Sequence, residues 1–268
     1  MKAITDIKEF QQISLNILKF VDKVCKEHDI KYCLGYGTAL GAVRHSGFIP
    51  WDDDIDILMT RDNYNKFLDV MKSINDSKYK CIAFPDIYYK FAKVVDSDTI
   101  VEEINKKKIN DMGIYIDIFP IDNLNPKTAK KDLRMADTYK TLALLAASTK
   151  FEKSDDGLLT TIIKWPIRLF AKIFGWKFWA NKAIKRSTKY NSMETDLVSP
   201  YDATREKAVY NKSMFENLIT VKFEDAEFPI MADYDKYLTQ SYGDYMKLPP
   251  EEKRIHHACI AYYKNKQD

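Results

Sequence analysis

The sequence predicts an α/β fold, a mixed sheet with flanking helices and a helical insertion between core segments. Apolar runs with period-two alternation recur at 54–58, 79–103 and 113–123, the pattern of buried or half-buried strands. Before them, Ile7, Phe10, Ile17, Val21 and Val24 recur at helical spacing. From 126 to 195 strand signals give way to amphipathic, aromatic-rich helical sequence, and they return at about 196. The expected organisation is a core over 1–125, an insertion over 126–195, and a segment over 196–268 that completes the core.

Composition is that of a folded protein. A chain of 268 residues with 46% hydrophobic content is long enough for one large domain or two small ones. The net charge of +3, from 42 basic and 39 acidic residues, argues against a nucleic-acid-coating protein. Cys25, Cys33, Cys81 and Cys259 show no CxxC spacing, which argues against a zinc site or disulfide framework and favours a reducing cytoplasm. Asp6, Lys8 and Glu9 interrupt any signal-peptide-like apolar stretch, and no apolar run reaches the roughly 20 residues of a membrane span.

Taken in order, Asp6 and Glu9 stand at capping-box spacing ahead of the first helix, and His28 near its end suits the negative pole of the helix dipole. The stretch 32–59, YCLGYGTALGAVRHSGFIPWDDDIDILM, then runs from a short strand through Gly35 and Gly37 into a helical patch and four aspartates. In a strand, Asp54 and Asp56 share one face while Ile55 and Ile57 share the other. Paired carboxylates repel without a cation between them, and Mg2+ is the natural one beside a glycine turn that lets backbone N–H groups approach phosphate. Solvated surface acids are the plainer reading, above all for Asp52 and Asp53.

Asp62 is expected to cap a helix through Tyr64, Phe67, Leu68 and Met71. Strands YKCIAF, YYKFAKVVD and TIVEE follow as a meander beside the active sheet, with Lys93 expected to emerge at a sheet edge near bound phosphate or simply into solvent. In GIYIDIFPIDN, residues 113–123, Asp117 interrupts an apolar strand and needs a partner if buried, while Asp122 after Pro120 reads as a turn or cap. The insertion sets Trp165, Phe170, Phe174, Trp176, Phe178 and Trp179 among lysines and arginines. Two readings stand for it, a helix lying in a membrane interface or on a partner, and a subdomain burying its aromatics internally. Further strands and the helix DYDKYLTQSYG precede a tail in which His256 and His257 are adjacent, so at most one of them serves a site.

The turn Gly-Tyr-Gly-Thr followed by Asp-Ile-Asp-Ile resembles the nucleotidyltransferase fold, and the longer string GTALGAVRHSGFIPWDDDID resembles the LicD family of phosphotransferases. Fifteen residues separate Thr38 from Asp54, slightly more than the superfamily pattern. The resemblance implies a nucleotidyltransferase-type sheet in which Asp54, Asp56 and Asp117 bind Mg2+, and Asp117 receives a hydroxyl proton. It further implies phosphate contacts from Gly37 and Thr38, charge partners in Arg44 and Lys93, and a site role for His256. The activity implied is transfer of phosphocholine from CDP-choline to a lipid-linked, cell-surface glycan such as teichoic acid or lipopolysaccharide, releasing CMP at the inner face of the membrane. CDP-ribitol or CDP-glycerol as donor, a nucleotidyltransferase acting on a nucleoside triphosphate, and a catalytically dead binding module are the other readings. The intact aspartates argue against the last.

Overall fold

The computed structural model describes residues 2–74, 76–149, 158–201, 208–254 and 259–264, and within them the chain is mixed α/β with six α-helices. Strand β1 (Ala3–Ile4) leads into helix α1 (Ile7–Glu27), where the Asp6 carboxylate caps the Lys8 N–H at 2.9 Å. Glu9 does not complete the expected capping box; it accepts a hydrogen bond from the Tyr263 hydroxyl at 2.9 Å. Leu15, Ile17, Leu18, Val21 and Val24 bury the apolar stripe of α1 in the main core.

The main sheet runs in the order β2 (Cys33–Leu34), β3 (Asp56–Thr60), β7 (Tyr115–Asn123), β5 (Ala92–Asp96), β4 (Tyr79–Ile82). Among the described residues of this sheet only β3 and β7 are parallel; β8 (Leu197–Ser199) joins the far end of β7 and pairs in turn with β9 (Tyr210–Asn211). Strand β6 (Thr99–Glu103) does not continue the meander. It pairs with β12 (Cys259–Tyr263) in a separate sheet of order β1-β12-β6. A hairpin of β10 (Leu218–Phe223) and β11 (Ala226–Met231) stands beside helix α2 (Tyr36–His45).

Several boundaries differ from expectation. Helix α3 (Arg61–Ser73) starts one residue before Asp62, with Thr60 at its N-cap. Strand β3 starts at Asp56, so Asp54 lies in the segment leading into it. Asp122 is no turn residue: it sits inside β7, 1% exposed, in a bidentate pair with Arg61 at 2.7 Å, and it also accepts from the Asn191 amide at 2.6 Å. Pro120 is tolerated in this strand because β5 stops pairing at Ile118 and β8 starts at Asp122, so a proline there removes no bond on that side.

Helix α4 (Ala129–Ala147) packs on α5 (Leu158–Ser187), which breaks at Gly175 with φ 75° and ψ 161°. That conformation belongs essentially to glycine. Leu142, Ala143 and Ala146 of α4 meet Ala171, Trp179 and Ala180 of α5 in a small separate core. Trp179 is buried and its indole N–H donates to the Ala171 carbonyl at 3.0 Å, while Trp176 is half-buried and meets Tyr88 edge-on. Internal packing therefore accounts for these two tryptophans. The other aromatics of this stretch stay exposed. Among the described residues no helix is long and apolar enough to cross a membrane.

Candidate active site

The parallel pairing of β3 with β7 sets the register of the site. Asp56 lies opposite Asp117, and Ile57 opposite Ile118, so the two carboxylate-bearing positions are neighbours across adjacent strands. The flanking Ile55, Ile57, Ile116 and Ile118 are all buried, which fixes the strands' register, because a slip of one residue would turn every side chain to the other face. Gly35 donates its N–H to the Asp56 carbonyl at 2.9 Å, and Asp117 donates its own to the Ile55 carbonyl at 2.8 Å.

Helix α2 begins beside this pair. The Thr38 hydroxyl accepts the Asp56 N–H at 2.8 Å, so this buried threonine holds the aspartate's backbone. At Gly37 a Cβ would stand 2.8 Å from the Asp52 Oδ2, so the glycine makes room for a carboxylate at the positive pole of the helix. Asp52 is half-buried and Asp53 buried, unlike the solvated loop acids of the plainer sequence reading. Their loop is held from two sides: the Gln11 amide donates to the Asp52 carbonyl at 2.7 Å, and the Phe48 N–H donates to Glu224, at the tip of the β10–β11 hairpin, at 2.9 Å.

Helix α6 (Tyr234–Tyr242) packs against α2 at the mouth of the site. The Tyr237 hydroxyl accepts the Tyr36 N–H at 3.1 Å, anchoring the start of α2. Tyr242 is 43% exposed, yet its phenol is pushed up by desolvation and then by the Asp56, Asp52 and Asp54 carboxylates, so it stays neutral beside them. Tyr242 and Asp52 are site residues that sequence reasoning missed. DYDKYLTQSYG carries no sign that its last tyrosine would return to the aspartates, since that proximity depends on long-range packing.

Lys93 is not at an edge. Strand β5 lies between β7 and β4, and Lys93 is 2% exposed, its Nζ 2.6 Å from Asp117 Oδ1. Rings surround the ammonium, with the Tyr115 centroid at 3.5 Å, Tyr89 at 4.6 Å and Phe91 at 5.2 Å. The contact fixes the Asp117 side chain on the face it shares with Asp56. Arg44, in the last turn of α2, donates to the Tyr245 carbonyl at 2.8 Å and to His45 Nε2 at 2.9 Å. Burial and then Arg44 hold the His45 imidazole below its ordinary range, consistent with an unprotonated acceptor. His256 lies outside the described residues.

The oxygen chemistry of Asp56 and Asp117 fits Mg2+, which is commonly held by one or two carboxylates together with substrate phosphates. Among the described residues, no three His, Cys, Asp or Glu side chains are gathered into a metal-binding group. The register pair fits an ion completed by substrate oxygens, with Asp54 in the segment just ahead of β3.

A family model described as LicD/FKTN/FKRP, nucleotidyltransferase domain, matches residues 29–143. Over its full length the chain is similar to the lipopolysaccharide cholinephosphotransferase LicD of Haemophilus influenzae, 34% identical over 271 residues, covering 98% of this chain and 99% of that one. The chain belongs to the LicD family. Shorter stretches of the chain are similar to two uncharacterized proteins: one of Rickettsia typhi, 35% identical over 75 residues (28% of this chain, 24% of that one), and one of Rickettsia prowazekii, 49% identical over 41 residues (15% of each). The LicD model spans Gly37, Thr38, Arg44, Asp52, Asp54, Asp56, Lys93 and Asp117; Tyr242 reaches the same mouth from outside it.

Proposed function

We propose that the chain transfers phosphocholine from CDP-choline to a hydroxyl of a cell-surface glycan and releases CMP, on a nucleotidyltransferase-type core. The observation that carries this reading is the opposition of Asp56 and Asp117 on parallel strands, within a chain similar along its whole length to a lipopolysaccharide cholinephosphotransferase. Asp56 and Asp117 would hold Mg2+, with Asp54 the third acid of the set. When bound, the ion supplies positive charge that neutralises the donor's pyrophosphate.

The acceptor hydroxyl attacks the phosphorus that bears choline, a bond forms from the sugar oxygen to that phosphorus, and the bond to the CMP oxygen breaks. Lys93 holds the Asp117 carboxylate in place. Asp54, half-buried near the Tyr242 hydroxyl, takes the proton of the attacking hydroxyl. Thr38 acts through Asp56 by fixing its backbone, and the start of α2 at Gly37 offers N–H groups to donor phosphate. Arg44 lies at the far end of α2 and holds the Tyr245 carbonyl in the segment that follows α6.

Incubating the purified chain with Mg2+, glycan acceptor and, in parallel, CDP-choline, CDP-ribitol, CDP-glycerol or CTP tests the reading. CMP from CDP-choline, with phosphocholine on the glycan, is expected. CMP from a CDP-polyol alone would keep the mechanism and reject choline. Pyrophosphate from CTP with no CMP from any CDP-alcohol would overturn phosphoalcohol transfer.

A further inference from the structure

The first arm of α5 carries an apolar surface that its packing leaves outside. Arg168 and Ala171 turn inward, and on the opposite side Leu169, Phe170 and Ile173 are exposed, Ile173 at 71%. Phe174, the last residue before the break at Gly175, and Phe178 beyond it continue this surface, their rings stacked with centroids 5.0 Å apart. Phe170 and Phe178 also lean on buried Trp179, at 5.5 Å and 4.9 Å, so the surface has a rigid base. Contiguous exposed apolar residues of this kind mark an interaction surface.

Charge decides what the surface fits. The thirty residues Leu158–Ser187 hold five lysines, two arginines and no aspartate or glutamate, in a chain of net charge +3. Lys172, Lys177, Lys182 and Lys185 are exposed around the apolar residues. A second copy of the same face would set these lysines against their equivalents. An anionic surface with an apolar interior complements both features at once.

We propose that the outer face of α5 docks on an anionic phospholipid bilayer, with Leu169, Phe170, Ile173, Phe174 and Phe178 entering the boundary between headgroups and acyl chains. The lysines around them meet lipid phosphates. The helix lies in the interface plane rather than crossing the bilayer. Docking requires neither donor nor Mg2+, so its test is independent of the transfer reaction.

The test is flotation of the full chain with phosphatidylcholine vesicles, with and without phosphatidylglycerol, at low and high salt. Binding is expected with phosphatidylglycerol at low salt and should weaken as salt rises. Ile173→Ser with Phe174→Ser should lower partitioning by about tenfold or more while leaving the circular dichroism spectrum unchanged, since both side chains are exposed. Lys172→Gln with Lys177→Gln should flatten the salt dependence. No flotation at low salt with phosphatidylglycerol would overturn the proposal, as would binding untouched by the apolar pair. It would equally be overturned by a dimer that those substitutions dissolve in a chain that ignores vesicles.

Discussion

Asp117 makes two demands that a single substitution can separate. It supplies a carboxylate opposite Asp56, and it neutralises an ammonium that is 2% exposed, with a contact of 2.6 Å. Removing one partner of a buried pair leaves the other charge uncompensated, at a cost of about 3–5 kcal/mol. Asp117→Asn is therefore expected to lose that much stability in denaturant unfolding as well as activity. Lys93→Met with Asp117→Leu should recover most of the stability and none of the activity. An Asp117→Asn protein as stable as the wild type would show that the Lys93 pairing does not hold. The carboxylates were legible in the sequence, because Asp54 to Ile57 alternate and Asp117 interrupts an apolar run. The lysine's setting was not: period-two alternation gives a side chain's face, but not which strands flank its own, and only the strand order places Lys93 in the sheet interior.

Helix and strand identities were mostly readable from periodicity, while their ends and junctions were decided by tertiary partners. The Arg61–Asp122 pair shows how. Arg61 opens α3, Asp122 lies in β7, and Asn191, just beyond α5, adds its amide, so one buried carboxylate ties the core to the end of the insertion. A proline two residues earlier signalled a turn, and the gap between β5 and β8 that accommodates it is invisible locally. Arg61→Lys retains the charge but cannot form the two-pronged contact, and a loss of about 1–3 kcal/mol is expected from chemical denaturation. An unchanged midpoint would mean the junction is held by something else. The break at Gly175 does carry a local sign, its own glycine, but aromatic periodicity gives neither its backbone angles nor the direction of the second arm.

Across the molecule, sequence periodicity anticipated a mixed α/β protein, and the similarity to LicD proteins was carried by one uninterrupted string around the aspartates. What the string could not convey was assembly. Strand β6 leaves the main sheet to pair with β12, over one hundred and fifty residues later, and the hairpin around Glu224 reaches back to hold the loop before Asp54. Tyr242 meets the acids only because α6 docks on α2. Such contacts join residues far apart in the chain, and no local pattern encodes them. The decisive measurement follows the choline-side phosphorus of labelled CDP-choline in wild type and in Asp56→Asn, with Mg2+ and acceptor glycan present. If Asp56 and Asp117 are the centre of phosphocholine transfer, wild type moves the label into the glycan, and Asp56→Asn, folded by circular dichroism, moves at least about a hundredfold less, the scale of losing one electrostatic contact in the transition state. Label reaching the glycan at the wild-type rate in Asp56→Asn, or never reaching it in either protein, would contradict that assignment.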